Sequence, residues 1–242
     1  ITIGVIRLPK IANFTDIDPF EYESDVNLKM IGVNDDIGDV DAIIIPGTRN
    51  STDDAFALHE SGLGAKIVEK ADEIPIVGIC GGLQILGKVI HDEEKRESRH
   101  GTIEGLGLLD IESSFSRAGK IVTQSEAIIP DDLNGLAGEI FKNITGEKVT
   151  GYEIHEGTTD LGGTCGLLEV VKGQGNSDDG TIDGASSGNV FATYFHGIFH
   201  NYNFRREFLN YLRVKNGLEA KYGEDPYETA SFMRTPSGDL IT

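Results

Sequence analysis

The segment Pro75-Ile-Val-Gly-Ile-Cys-Gly-Gly-Leu-Gln84 constrains this chain more than any other. Ile76, Val77 and Ile79 form a short apolar run suited to a buried strand, and Leu83, Ile85 and Leu86 open an apolar helical pattern. Cys80 therefore falls at a strand-to-helix turn, where Gly78, Gly81 and Gly82 permit backbone angles closed to other residues. The spacing Gly-x-Cys-x-Gly has the form of a hydrolase nucleophile elbow with cysteine in place of serine. A thiol at a helix N-terminus feels the positive end of the helix dipole, which favours the reactive thiolate. A lone cysteine is otherwise commonly a small buried side chain, and the flanking glycines tip the reading towards a nucleophile.

Around this turn the first 90 residues alternate strand and helix. Ile1 to Leu8, Val26 to Val33 and Asp41 to Gly47 read as strands, the last apolar on both faces as in a buried parallel sheet. Asp18-Pro19 marks a short helix start, and a helix opening near Ser51 or Thr52 runs in pieces to about Asp72. From Gly105 to Val171 the pattern is short β-like runs with little helical periodicity, and Gly173 to Asn189 reads as an exposed loop. Val190 to Phe195 is a strand, Asn201 to Val214 an amphipathic helix, and the tail after Leu218 shows no clear period. The expected fold is α/β, a mostly parallel, flavodoxin-like three-layer sandwich with additional antiparallel strands in the second half, over residues 1–242 as one domain.

The formal charge of −19 argues against nucleic-acid or anionic-membrane partners, both of which need clustered Lys and Arg. No run approaches the length of a membrane helix. Two cysteines, Cys80 and Cys165, make no disulfide framework and suit a reducing cytoplasm.

A cysteine nucleophile needs a base, an oxyanion site and a pocket. Of six histidines, His59 and His91 fall on expected helices away from strand ends. His196 ends a strand in Thr193-Tyr-Phe-His-Gly197, on the edge of the sheet where Cys80 also lies, and is the leading base; His155 in Gly151-Tyr-Glu-Ile-His155 is the second candidate. His196 and His200 also have the i,i+4 spacing of a zinc pair, but no third ligand has matching spacing, so no metal is expected. The N–H of Gly81 and the backbone at Gly47 are candidate oxyanion donors, and Gln84, one turn into the helix, either presents its amide to substrate or faces solvent.

The Gly-Ile-Cys-Gly-Gly-Leu-Gln84 turn resembles that of class I glutamine amidotransferases. Val5 to Pro19 (VIRLPKIANFTDIDP), Ile45 to Thr52 (IPGTRNST), Gly151 to His155 and Thr193 to Phe199 narrow the resemblance to the glutaminase domains of cobyric acid synthases, covering Ile1 to about Val214. The resemblance implies that Cys80 attacks the side-chain amide carbon of L-glutamine, that His196 is the base, that Gly47 and Gly81 form the oxyanion hole, that Gln84 contacts substrate, and that Lys120 meets the glutamine α-carboxylate. Most class I members carry a glutamate two residues beyond the histidine, where this chain has Ile198, so a Cys-His dyad is expected, with Glu153 or a backbone carbonyl orienting His196 and His155 in support. Such synthases also carry an N-terminal ATP-dependent amide-forming domain, whose phosphate-binding loop has no counterpart here. ATP, Mg²⁺ and a corrinoid are therefore expected on that domain, no cofactor on this chain, and weak glutaminase activity in the chain alone. Related glutaminases that act in cobyrinic acid a,c-diamide or lipid II amidation are alternatives, as is a catalytically silent docking or regulatory module.

Overall fold

A computed structural model describes residues 1–115 and 120–232 of the protein. The apolar runs of the first half become strands β1 (Thr2–Arg7), β2 (Asn27–Gly32), β3 (Ala42–Ile45) and β4 (Ile76–Ile79). Between them lie the short helix α1 (Asp18–Glu21) and helices α2 (Ser51–Ser61) and α3 (Leu63–Lys70), and α4 (Gly81–Leu86) follows β4. Asn50 caps α2 by accepting the Asp53 N–H at 2.7 Å, and Gly62 at φ +75° breaks α2 from α3, as the glycine spacing predicts.

The second half supplies β5 (Val89–His91), β6 (Ile103–Glu104), β7 (Ile111–Ser114), β8 (Ile121–Ile128), α5 (Gly135–Phe141), β9 (Lys148–His155), β10 (Thr158–Leu161) and β11 (Leu168–Lys172). It closes with β12 (Ile182–Asp183), β13 (Ala185–Ser187), β14 (Val190–Thr193), α6 (Tyr202–Lys215) and α7 (Pro226–Phe232). The main sheet runs β13-β14-β4-β3-β1-β2, parallel throughout except for the β13–β14 pair. Two four-stranded sheets, β10-β7-β5-β6 and the antiparallel β12-β11-β8-β9, stand beside it. The fold is thus the expected mixed α/β arrangement with antiparallel additions in the second half.

Both faces of the main sheet are covered. Side chains alternate along a strand, so Gly78 and Val77 face opposite ways. A Cβ on Gly78 would press on Leu86 and Gly82, which puts α4 on that face. On the other face Phe191, paired in register with Val77, meets Phe204 and Phe208 of α6 at ring separations of 6.5 and 5.9 Å. The same helix fixes the chain just after α1: Arg205 and Arg206, both buried, pair with the buried Glu23.

Four expectations on elements are corrected. Gly173 to Asn189 is not a solvated loop: it contains β12 and β13, and Asn176 replaces missing backbone pairing by bonding both Gly184 N–H and Gly184 C=O, at 2.8 and 2.7 Å. His91 ends a strand, not a helix, because α4 stops at Leu86 before Gly87. The stretch from Gly105 to Val171 holds one helix, α5, whose Leu136, Ala137, Ile140 and Phe141 are buried. The tail after Leu218 includes α7.

Candidate active site

The carboxyl ends of β3, β4 and β14 converge on a cavity of about 520 Å³. Cys80 lies in its lining at φ +52°, a backbone angle that side-chain-bearing residues rarely adopt. The turn is held by Cys80 N–H donating to Thr193 C=O at 2.8 Å and Leu83 N–H to Cys80 C=O at 2.9 Å. Gly82 permits it, since a Cβ there would overlap the Ile45 carbonyl oxygen. Gly81 is the first residue of α4 and lines the cavity, so its N–H belongs to the unpaired first turn of the helix. Gly47 lets the chain approach: a Cβ there would come within 2.8 Å of His196 Cε1 and 3.7 Å of Cys80 Cβ.

His196, fully buried, sits just past β14, locked by backbone hydrogen bonds in both directions with Tyr152 and stacked on the Tyr152 ring at 5.1 Å. Its orienting group is neither Glu153 nor a carbonyl. Asp16 Oδ2 lies 2.7 Å from His196 Nδ1, and Asp16 Oδ1 accepts the Gly197 N–H at 2.7 Å. The dyad expectation is therefore corrected: a third, acidic member is present, delivered by the turn between β1 and α1 (Phe14–Asp16) and not by the segment after the histidine. Burial works against charge on this imidazole, but Asp16 and Cys80 overcome it and raise the His196 pKa to about 11. Nδ1 faces Asp16, and the Asn13 side-chain amide nitrogen stands 3.1 Å from Nε2 and 3.4 Å from Nδ1. Asn13 is itself at φ +56°. Cys80 Sγ donates to Ile154 C=O at 3.5 Å.

Glu153 is occupied elsewhere. It accepts from Ser125 Oγ at 2.6 Å, Gln174 N–H at 3.1 Å and Gly175 N–H at 2.8 Å, and meets His155 Nε2 at 3.0 Å. Burial alone would raise its pKa, yet these four donors bring it below the ordinary carboxylate value. Gln84 is buried, and its amide nitrogen donates to Tyr194 Oη at 3.2 Å and Glu156 C=O at 3.3 Å, so it lines the cavity without facing solvent. Lys120, exposed, lines the cavity with Arg49 and Arg96; residues 116–119 beside it are outside the described residues. His200 turns away from His196 to Thr15 C=O at 2.8 Å.

The acidic residue Glu97 also borders the cavity. It accepts Ser51 N–H at 2.9 Å and Ser51 Oγ–H at 3.0 Å, tying the charged segment around it to the start of α2. Burial pushes its pKa up to about 7 despite these donors.

Asp16 was missed in the sequence because the usual search for a triad acid looks just past the histidine. The available signal was an acidic residue in Asn13-Phe-Thr-Asp16, a polar block that follows the first strand of a parallel sheet and so falls at its carboxyl end.

Residues 2–204 match the CobB/CobQ-like glutamine amidotransferase domain. A probable cobyric acid synthase of Methanothermobacter thermautotrophicus is 50% identical over 231 residues, covering 95% of this chain and 45% of that protein. The cobyric acid synthase of Pelotomaculum thermopropionicum is 42% identical over 220 residues, covering 89% of this chain and 41% of that protein. The chain thus spans less than half the length of these relatives. PurLQS from Thermotoga maritima shares the fold, with a TM-score of 0.66 and 24% identity over 87% of this chain and 98% of that one. No helix among the described residues is long and apolar enough to cross a membrane. The chain belongs to the CobB/CobQ-like family of glutamine amidotransferase domains.

Proposed function

We propose that this chain hydrolyses L-glutamine to glutamate and ammonia at Cys80. The thiol gives its proton to His196 Nε2 as sulfur attacks the side-chain amide carbon. The resulting oxyanion is received by the Gly81 N–H and the backbone at Gly47. His196, oriented by Asp16, passes its proton to the departing nitrogen, and ammonia leaves behind a glutamyl thioester. Water, deprotonated by His196, then releases glutamate and restores the thiol. The observation that carries this reading is the buried Asp16–His196 pair beside a cysteine held at positive φ in a polar cavity.

The ammonia serves ATP-dependent amidation of corrinoid side-chain carboxylates. That step belongs to the portion of the relatives this chain does not span, where ATP, Mg²⁺ and the corrinoid would bind. The names and lengths of the relatives support this assignment. Turnover by the chain alone is slow in this reading, and a synthase partner that closes the site raises it.

Labelling with a glutamine-analogue electrophile, followed by peptide mapping, tests the reading. Modification at Cys80 and not at the half-buried Cys165, prevented by excess glutamine and lost in Cys80→Ala, is the expected result. Labelling that ignores glutamine, or that falls on Cys165, overturns it.

A further inference from the structure

His155 ends β9, one residue beyond Ile154, whose carbonyl accepts the nucleophile's sulfur. It lines the catalytic cavity, yet it is only 5% exposed. Its ring is fixed at two places. One face stacks on Tyr194 at 3.8 Å and 15°, and Tyr194 Oη in turn receives the Gln84 amide. Nε2 faces Glu153, whose lowered pKa keeps it an acceptor, so Nε2 carries the hydrogen. With the hydrogen on Nε2, the lone pair of this tautomer is on Nδ1. That nitrogen is buried and has no hydrogen-bond partner among the described residues.

An orphaned buried acceptor costs stability unless something satisfies it, and a ring this firmly held cannot turn to find a partner. The wall it occupies is acidic: Glu153 lies behind it and Glu156 next to it lines the cavity. Of the cations in the lining, Arg49 and Arg96 come from other segments, and Lys120 precedes Ile121, the residue that pairs with His155 across β8 and β9. A zwitterionic amino acid bound here has carboxylates at Glu153 and Glu156 near its ammonium and the Lys120 cation near its carboxylate.

We infer that His155 Nδ1 accepts a hydrogen bond from the α-ammonium group of the substrate, making His155 the residue that selects an α-amino acid amide over a simple carboxamide. This rests on the glutaminase reading above and deepens it. The partner atom is the α-ammonium and not the carboxamide NH₂, because the carboxamide must lie at Cys80 while the α-ammonium is the other donor glutamine brings.

The experiment compares glutamine with glutaramate, which lacks only the α-amino group, in the wild-type chain and in His155→Phe, which keeps an aromatic ring against Tyr194. Wild type is expected to favour glutamine by roughly 100-fold or more in kcat/KM. In His155→Phe the preference collapses, chiefly through a higher KM for glutamine, while turnover of glutaramate changes little. Full discrimination retained in the variant overturns the inference, as does absence of discrimination in wild type. Should His155→Phe fail to fold, histidine ¹⁵N NMR of Cys80→Ala reads the same contact: one Nδ1 resonance shifts with glutamine and not with glutaramate, and a spectrum blind to glutamine counts against it. Ammonia release that is normal but indifferent to His155 defeats this inference alone. A chain that neither binds nor hydrolyses glutamine defeats the glutaminase reading, and this inference with it.

Discussion

Asp16 and His196, 180 residues apart in sequence, meet at 2.7 Å with both side chains almost wholly buried. The carboxylate is fully used: one oxygen holds Nδ1 and the other holds the N–H of the next residue, Gly197. The imidazole is therefore fixed in tautomer and in tilt, with Nε2 left for proton transfer. Asp16→Asn keeps the shape but removes the charge that stabilises an imidazolium, so glutaminase activity is expected to fall by about 10²- to 10⁴-fold. Ammonia release measured on folded protein checks this. A change of less than tenfold would show that His196 does not depend on Asp16.

Asn13 bears on the same ring from the other side. Its amide nitrogen stands 3.1 Å from Nε2, where the Cys80 proton must arrive, and 3.4 Å from Nδ1, and its side chain makes no cap bond to the turn it begins. Asn13→Gly removes the amide while retaining a residue that accepts φ +56° at no steric cost. Breaking one competing hydrogen bond worth about 1 kcal/mol should raise the rate of Cys80 alkylation by iodoacetamide in the chain alone by roughly 3- to 10-fold. A slower rate would mean that the amide assists the imidazole instead of competing with the thiol.

The difference between what was and was not legible in the sequence follows from the range of each signal. Cys80, Gly81, Gly82 and the run of β4 are one local pattern, and that pattern alone dictates a strand, a strained corner and a helix. His196 is likewise local to the end of its strand. Asp16 is bound to the site only through tertiary placement: β1 lies next to β3 in the sheet, so the turn after β1 reaches the same edge as the turn after β14. Nothing within ten residues of His196 announces that. Glu153 misled for the complementary reason, since it stands two residues from a histidine but serves His155, Ser125 and the chain at Gln174 and Gly175. The Gly173 to Asn189 segment reads as solvated because its composition is polar. It is ordered by side chains acting as backbone surrogates, Asn176 on Gly184 and Asp183 on Thr193 and Tyr194.

The corner at Cys80 is also a packing constraint. At Gly82 a methyl group would fall on the carbonyls of Ile45 and Pro46, rigid backbone at the end of a buried strand. No flexible side chain can give way, so Gly82→Ala must push α4 off the sheet or move β3. A loss of about 3 kcal/mol or more is expected in guanidinium unfolding, with Cys80 displaced and glutamine-analogue labelling lost. Wild-type stability in this variant would mean that the β3–α4 contact is looser than the geometry implies.

Asp183 makes the pH dependence of stability testable. It is fully buried at the end of β12 and accepts from Thr193 Oγ and from Tyr194 N–H at 3.0 Å. Burial raises its pKa from 3.8 to about 7, more than these donors lower it, and the charge of Glu153 adds to the rise. The folded protein thus holds a proton that the unfolded chain releases between about pH 4 and 7. Its stabilising contribution is complete below the unfolded value and is lost as pH climbs through about 7. Glu97, also raised to about 7, acts in the same direction, whereas Glu153, lowered, contributes above its ordinary value and loses that contribution on acidification. Asp183→Asn isolates the first effect, since an amide can accept from Tyr194 N–H and donate to Thr193 Oγ without titrating. A shift of about three units bounds the effect at ~4 kcal/mol. Unfolding free energies at pH 5 and pH 8 should therefore diverge; about two of the three units fall in that interval, so wild type loses up to ~3 kcal/mol more than the variant across it. Parallel curves for the two proteins would show that Asp183 is already ionised in the fold at pH 5.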